Sequence, residues 1–98
     1  MNKKGRIMRK TRGCCAHCGK KLNKSSITFD HFVTQSVGGT WNEDNLFPLC
    51  AKCNRTRGSD EINPYTYYKF ADPYYIRLAE NYKKVFVKEN TPAVSFNF

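Results

Sequence analysis

Residues 15–18, Cys-Ala-His-Cys, and residues 50–53, Cys-Ala-Lys-Cys, decide the fold of this 98-residue chain. Each stretch is a C-x-x-C pair, and the 31 residues 19–49 separate the two pairs. Two thiolates at this spacing can bind one ion from a tight turn, and two pairs supply the four tetrahedral sulfur ligands that suit Zn²⁺. Gly19 fits the first turn because glycine tolerates positive φ. We therefore expect a structural zinc ion with four ligands: Cys15, Cys18, Cys50 and Cys53.

Two disulfides, or a redox-active C-x-x-C pair, are the alternatives for these cysteines. The odd total of five cysteines fits poorly with a secreted disulfide framework, and no βαβ pattern accompanies the pairs. Cys14 could replace Cys15 through a C-x-x-x-C spacing to Cys18, but two intervening residues are the better fit. We expect Cys14 to be a spare thiol and His17 to be a surface residue or a phosphate contact. Zinc would also stabilise a chain too short to bury a large core.

The composition predicts a small, folded, basic domain. Lys and Arg total 17 against 8 Asp and Glu, a net charge of +9 that favours nucleic acid or an acidic membrane surface as partner. No apolar run reaches the roughly 18 residues that cross a bilayer, and the amino terminus lacks the apolar stretch of a secretory signal. An apolar content of 40% is too high for a disordered chain. We expect no membrane partner and a cytoplasmic location in a bacterial or phage-infected host cell.

Three regions follow one another along the chain. Residues 1–13 are a basic arm, expected to be a partly disordered tail that lies along a phosphate backbone. Residues 14–60 are expected to form a zinc-stabilised core, and residues 61–98 a helical, aromatic extension that packs on it. The basic residues of the arm are Lys3, Lys4, Arg6, Arg9, Lys10 and Arg12.

The core is predicted to have the order strand, loop, strand, helix. β-branched and aromatic residues indicate a strand over residues 27–33, and Gly and Asn indicate a loop over residues 36–44. Residues 46–49 indicate a second short strand. Residues 51–57 indicate a short helix that ends at Gly58.

The extension is predicted to contain one long helix. Asp72 as N-cap and Pro73 at the first helical position mark its start. Apolar residues then recur at steps of three and four, which predicts a helix face that covers the core rather than a surface that stacks on bases. That face comprises Tyr75, Ile76, Ala79, Tyr82 and Phe86. The alternation of Val94, Phe96 and Phe98 indicates a terminal strand or an oligomer contact.

Four polar residues around the cysteine pairs indicate a catalytic site. Asp30 and His31 lie at the end of the first strand, Asn45 ends the loop, and Asn54 follows the second cysteine pair. Folding of the strand pair and helix would bring Asp30 and Asn54 together beside His31. Carboxylate and amide oxygens suit Mg²⁺, and an imidazole with a pKa near about 6.5 can take a proton from water. Trp41 is expected to pack beside the loop.

The order and spacing of these motifs resemble the HNH endonuclease family. The resemblance covers residues 15 to about 58. It implies a small α+β fold, a ββα-metal core of the treble-clef, His-Me finger type with structural zinc, followed here by the C-terminal aromatic helix. The matching motifs are Asp30-His31, Gly38-Gly39-Thr40, Asp44-Asn45-Leu46 and Cys50-Ala51-Lys52-Cys53-Asn54-Arg55.

The resemblance also implies a role for each candidate residue. His31 would be the general base that activates water, Asp30 a ligand of the catalytic divalent metal, and Asn45 the brace of the loop that helps to orient His31. Asn54 stands where the final His of the motif usually lies, which makes this an HNN variant. Its neutral amide oxygen favours Mg²⁺ or Mn²⁺ over Zn²⁺ or Ni²⁺. The implied reaction is hydrolysis of DNA phosphodiesters, leaving a 5′-phosphate and a 3′-hydroxyl.

DNA is the expected partner, bound mainly through its phosphates. Arg55 and Arg57, just after the metal ligand, and the basic arm are predicted to contact phosphates, with steep salt dependence and little sequence preference. The short chain suggests a phage or mobile-element protein. Because one active site cuts one DNA strand, a homodimer or a larger nuclease complex would suit cleavage of both strands. Two other functions remain open: a non-catalytic zinc-knuckle nucleic-acid-binding module, and a zinc-dependent protein-interaction domain.

Overall fold

The structure is a computed structural model and describes residues 2–90. Two short 3₁₀ turns, Gln35–Val37 and Glu43–Asn45, lie in the loop between the two strands. The predicted alternation at residues 94–98 lies outside the described residues. In chain order, the helices and strands are α1 (Lys3–Arg9), β1 (Ile27–His31), β2 (Leu46–Cys50), α2 (Ala51–Arg57), α3 (Pro64–Tyr67) and α4 (Pro73–Asn90).

The predicted strand, loop, strand and helix form the centre of the molecule. Strands β1 and β2 pair antiparallel, with Ile27 opposite Cys50 and His31 opposite Leu46. Strand β1 ends two residues earlier than predicted, because the side chain of Asn45 bonds to both the backbone N–H and the carbonyl of Val33. The expected small α+β fold is confirmed.

Helix α2 follows β2 without a connecting loop. It ends at Gly58, as predicted, and the φ of 58° at this residue is one that glycine adopts without the steric cost of a side chain. Cys50 at the end of β2 and Cys53 in the first turn of α2 therefore lie one helical turn apart. The strand-to-helix junction thus presents both cysteines of the second pair to the same side.

Helix α4 covers the core with the face that its spacing predicts. Asp72 caps the helix by accepting a hydrogen bond from the Tyr74 backbone N–H at 2.9 Å, and Pro73 is the first helical residue. Ile76 and Ala79 are buried in the core. The partly buried members of the face, Tyr75, Tyr82 and Phe86, pack against the same cluster.

The amino-terminal segment differs from the expected partly disordered arm. Asn2 caps helix α1 by accepting a hydrogen bond from the Gly5 backbone N–H, and Ile7 is buried where α1 contacts β2. Lys10, which follows the helix, is also buried. A short amphipathic helix whose apolar residue reaches the sheet is held by tertiary packing, which is why its basic composition alone did not reveal it.

None of the helices within residues 2–90 has the combined length and apolar character that crossing a bilayer requires.

Candidate functional site

The four cysteines predicted to bind zinc lie together. The Sγ atoms of Cys15, Cys18, Cys50 and Cys53 are all within 4.8 Å of one another, and all five cysteines are free thiols. Tetrahedral zinc with bonds of about 2.3 Å separates its sulfur ligands by about 3.8 Å. The cluster can therefore hold a metal ion after small inward movements, and its all-sulfur donor set suits zinc.

A tight turn positions the first cysteine pair. The backbone N–H of Cys15 donates to the Lys20 carbonyl at 2.7 Å, and that of Gly19 donates to the Cys15 carbonyl at 2.9 Å. Gly19 has φ of 81°, the positive value expected for this position. Cys14 instead pairs with Lys21 in an isolated β-bridge and lies outside the cluster. The expected choice of Cys15 over Cys14 agrees with this geometry.

A cavity of about 270 Å³ lies at the end of β1 and along α2. Asp30, His31 and Asn54 all line it, together with Trp41 from the loop. Asp30 and His31 come from the strand, and Asn54 comes from the second turn of the helix that follows the paired strand. The fold thus brings together three residues that are up to 24 positions apart in the sequence.

Asp30 is buried and has partners on one of its two oxygens. Its Oδ2 accepts a 2.5 Å hydrogen bond from the Tyr68 hydroxyl and lies 3.6 Å from Nε of Arg57. Burial raises the pKa of Asp30, while the Tyr68 hydrogen bond and the Arg57 charge act in the opposite direction. Oδ1 has no donor among the described residues and is not sealed from solvent, so it is the oxygen open to the cavity.

His31 lies under Trp41. The two rings meet edge to face at 84°, with centroids 4.5 Å apart, and Trp41 itself remains 53% exposed. Nε2 of His31 is buried without a hydrogen-bond partner. Burial lowers the pKa of His31, which favours the neutral imidazole that can accept a proton. The other histidine, His17, has a different environment: it stacks on a tyrosine ring and lies outside both the cavity and the cysteine cluster.

Asn45 is completely buried and does not line the cavity. Its Oδ1 accepts a 2.7 Å hydrogen bond from the Val33 N–H. Its Nδ2 donates at 3.0 Å to the carbonyls of both Val33 and Thr40. The side chain therefore ties the two ends of the loop together next to His31.

The amide of Asn54 is oriented by the adjacent strand. The Thr28 hydroxyl donates to the Leu49 carbonyl at 2.8 Å, so it acts as an acceptor for Nδ2 of Asn54 at 2.9 Å. This leaves the amide oxygen of Asn54 without a partner among the described residues. It is the second oxygen that the cavity offers to a cation.

Two of the residues predicted to contact DNA phosphates, Lys10 and Arg57, are buried. Their burial argues against contact with phosphate. Lys10 is 2% exposed, and its Nζ donates to the Glu43 and Leu46 carbonyls at 2.6 and 2.8 Å. Arg57 is 3% exposed and donates to the Phe32 carbonyl at 3.2 Å. Buried cations require acceptors, and backbone carbonyls supply them to Lys10 Nζ and to the two terminal nitrogens of Arg57, while Arg57 Nε has no hydrogen-bond partner among the described residues.

The remaining predicted DNA contacts lie at the surface. Nζ of Lys3 donates to the Trp41 carbonyl, and Nε of Arg6 forms a 2.9 Å ion pair with Glu43. Helix α1 thus fastens the loop that carries Trp41. The other exposed basic residues of the predicted set are Lys4, Arg9, Arg12 and Arg55.

The sequence did not indicate that Tyr68 contacts Asp30 in the candidate site. Tyr68 lies in the connection between α3 and α4, 38 residues from the carboxylate that it contacts. An adjacent pair of tyrosines has no periodicity or motif that would signal this contact.

Comparisons with known proteins find similarity over about half of the chain. Residues 15–60 match the family model described as HNH endonuclease. Over 46 residues the chain is 35% identical to the CRISPR-associated endonuclease Cas9 of Corynebacterium diphtheriae. The aligned segment is 46% of this chain but only 4% of that protein's length. The similarity supports a nuclease-type function in general. Residues 15–60 are thus similar to the HNH endonuclease family in sequence, and the four clustered cysteines are compatible with that similarity.

Proposed function

We propose that the protein is a metal-dependent DNA endonuclease in which His31 activates water and Asp30 and Asn54 hold a divalent metal ion. One observation carries the proposal. Asp30, His31 and Asn54 line a single cavity, within the segment that matches the HNH endonuclease family. A structural zinc ion on the four cysteines would hold that segment together.

His31 would act as the general base through Nδ1. Nε2 is enclosed and unpaired, whereas Nδ1 is not among the buried unpaired atoms and has no hydrogen bond within residues 2–90. Because burial lowers the pKa of His31, the ring is neutral near pH 7 and can take a proton from a water molecule in the cavity.

Oδ1 of Asp30 and the amide oxygen of Asn54 fit a hard divalent cation, Mg²⁺ or Mn²⁺, with water completing the shell. Both are oxygens without a hydrogen-bond donor on the same cavity. When bound, the cation would polarise a phosphoryl oxygen and stabilise the leaving 3′ oxygen. Asn45 would keep the loop in place, so that Trp41 continues to cover His31.

DNA would be bound through its phosphates by the exposed basic residues. Lys4, Arg9, Arg12 and Arg55 are the proposed contacts, while Lys3 and Arg6 bond to the loop and Lys10 and Arg57 are buried. Each phosphate contact contributes about −0.9 to the slope of log affinity against log salt concentration. Four contacts therefore predict an affinity loss of roughly 100-fold between 50 and 200 mM salt. Affinity that is independent of salt would contradict this mode of binding.

The decisive experiment is cleavage of supercoiled plasmid by zinc-loaded protein with Mg²⁺. Loss of a general base lowers the rate by about 10²–10⁴-fold, so His31→Ala should produce almost no nicked or linear DNA. His17→Ala is the matched control, since this second histidine lies outside the cavity, and it should cut like the wild type. EDTA should stop cleavage by both active proteins. Equal cutting by His31→Ala would remove His31 from the mechanism.

The other candidate function is a non-catalytic zinc-knuckle module, and the same variants distinguish it. In a nuclease, His31→Ala should shift plasmid on a gel with unchanged affinity while cleavage is lost. If the wild type shifts plasmid but does not cut it with either Mg²⁺ or Mn²⁺, the binding module becomes the better description.

A further inference from the structure

The carboxylate of Asp30 is held by a residue outside the segment that matches the HNH endonuclease family. The match ends at residue 60, and Tyr68 lies beyond it. The Tyr68 hydroxyl donates to Oδ2 of Asp30 at 2.5 Å, and both side chains are buried, at 0% and 4% exposure. The extension therefore contributes directly to the surroundings of the proposed metal site.

The Tyr68 ring has little freedom to move. It stacks on Phe47, with centroids 4.0 Å apart and planes at 13°. Phe32 and Tyr67 meet it edge to face, at 6.3 and 5.4 Å. Its backbone N–H donates to the Pro64 carbonyl at 2.9 Å. Packing on three sides of the ring fixes the position of the hydroxyl, and hence the direction from which Oδ2 is held.

We propose that Tyr68 is a positioning residue that orients the Asp30 carboxylate, so that Oδ1 faces the cavity as a metal ligand. Oδ2 is occupied by Tyr68 and lies beside Arg57, which leaves Oδ1 as the oxygen open to the cavity. The proposal rests on the proposed function, since it assigns a support to that metal site. Partners that hold a metal ligand in place commonly change metal affinity by about 10–100-fold when removed.

The test measures Mn²⁺ binding to the zinc-loaded 98-residue protein. The electron paramagnetic resonance signal of free Mn²⁺ reports how much of the metal ion remains unbound. Tyr68→Phe keeps the ring and removes the hydroxyl, and we expect Mn²⁺ to bind about 10–100-fold more weakly. Tyr67→Phe is the matched control, because its hydroxyl donates to the Cys53 carbonyl at 3.3 Å and not to Asp30. It should bind Mn²⁺ like the wild type. A Tyr68→Phe protein that keeps both its zinc and wild-type Mn²⁺ affinity would overturn the proposal, since a purely structural tyrosine changes stability alone.

Asp30→Asn separates this proposal from the proposed function. If Asp30→Asn loses Mn²⁺ binding while Tyr68→Phe retains it, the metal site stands and only the role of Tyr68 is overturned. If Asp30→Asn binds Mn²⁺ like the wild type, the proposed metal site itself is wrong, and the inference about Tyr68 is wrong with it.

A nearly isosteric change covers the case in which Tyr68→Phe does not fold. Tyr68→3-fluorotyrosine keeps the ring, the hydroxyl and the packing, and its ¹⁹F resonance reports on the hydroxyl's hydrogen bond. We expect the resonance to shift with Mg²⁺ over the concentration range in which Mg²⁺ binds, and to be insensitive to Mg²⁺ in an Asp30→Asn background. A resonance that does not move through saturation with Mg²⁺ would overturn the proposal.

Discussion

Removal of the Asn45 side chain should be among the most damaging single changes in the loop. Asn45→Ala deprives the buried N–H and carbonyl of Val33 of their partners, and each unsatisfied buried group costs about 1–3 kcal/mol. The Thr40 carbonyl also loses its donor, but Thr40 is exposed and water can replace it. The expected loss in the free energy of unfolding is about 4 kcal/mol. For a domain of this size that corresponds to a fall in Tm of about 15 °C or more.

The assay is urea denaturation at fixed zinc concentration, with Asn42→Ala as matched control. Asn42 caps the following 3₁₀ turn through its Oδ1 and lies at the surface, so its loss should cost about 1 kcal/mol. Asn45→Asp should also be strongly destabilising, because a carboxylate still accepts from the Val33 N–H but cannot donate to the Val33 and Thr40 carbonyls. If Asn45→Ala costs no more than Asn42→Ala, these hydrogen bonds do not hold the loop.

Three further predictions concern the cysteines, a glycine and a buried lysine. Cys15→Ser should lose its zinc, which metal analysis measures. Its free energy of unfolding should fall by roughly 4 kcal/mol, the stabilisation that a ligand at a thousand times its Kd provides. Cys14→Ser should keep both the zinc and the stability. Gly39→Ala would place a Cβ 1.7 Å from the Val33 carbonyl oxygen, so urea denaturation should show a loss above about 2 kcal/mol; a smaller loss would mean that the backbone can shift. Burial lowers the pKa of Lys10 from 10.5 to about 8. At a pH between these two values, Lys10 is therefore more fully protonated in the unfolded chain than in the folded protein. Stability relative to Lys10→Met should therefore rise from pH 8 to 10, and a flat difference would contradict the lowered pKa.

The features that short-range spacing controls could be predicted from the sequence. The cysteine pairs, the strands and helix between and after them, and the Asp72 cap of α4 all depend on residues a few positions apart. The same is true of the α4 face that carries Ile76 and Ala79, since a helix repeats every 3.6 residues.

The tertiary partners of Lys10 and Trp41 could not be predicted. Lys10 is buried because carbonyls 33 and 36 residues away accept its hydrogen bonds, and no local pattern distinguishes it from the exposed Lys4. Trp41 was expected to pack beside the loop, whereas it stands half-exposed over His31. In both cases the basic or aromatic character was evident, but the tertiary partner that decides its role was not.

The contact between Asp30 and Tyr68 imposes an order in time on a chain that is synthesised from its amino terminus. All four clustered cysteines have been synthesised once residue 53 has been added, and domains begin to fold as the nascent chain emerges. The hydroxyl that holds Asp30 arrives 15 residues later with Tyr68, and Asp72, whose N–H bonds to the Lys10 carbonyl, later still. The cysteine cluster can therefore assemble first and the cavity last, so that a partly synthesised chain can hold a metal ion before the cavity is complete.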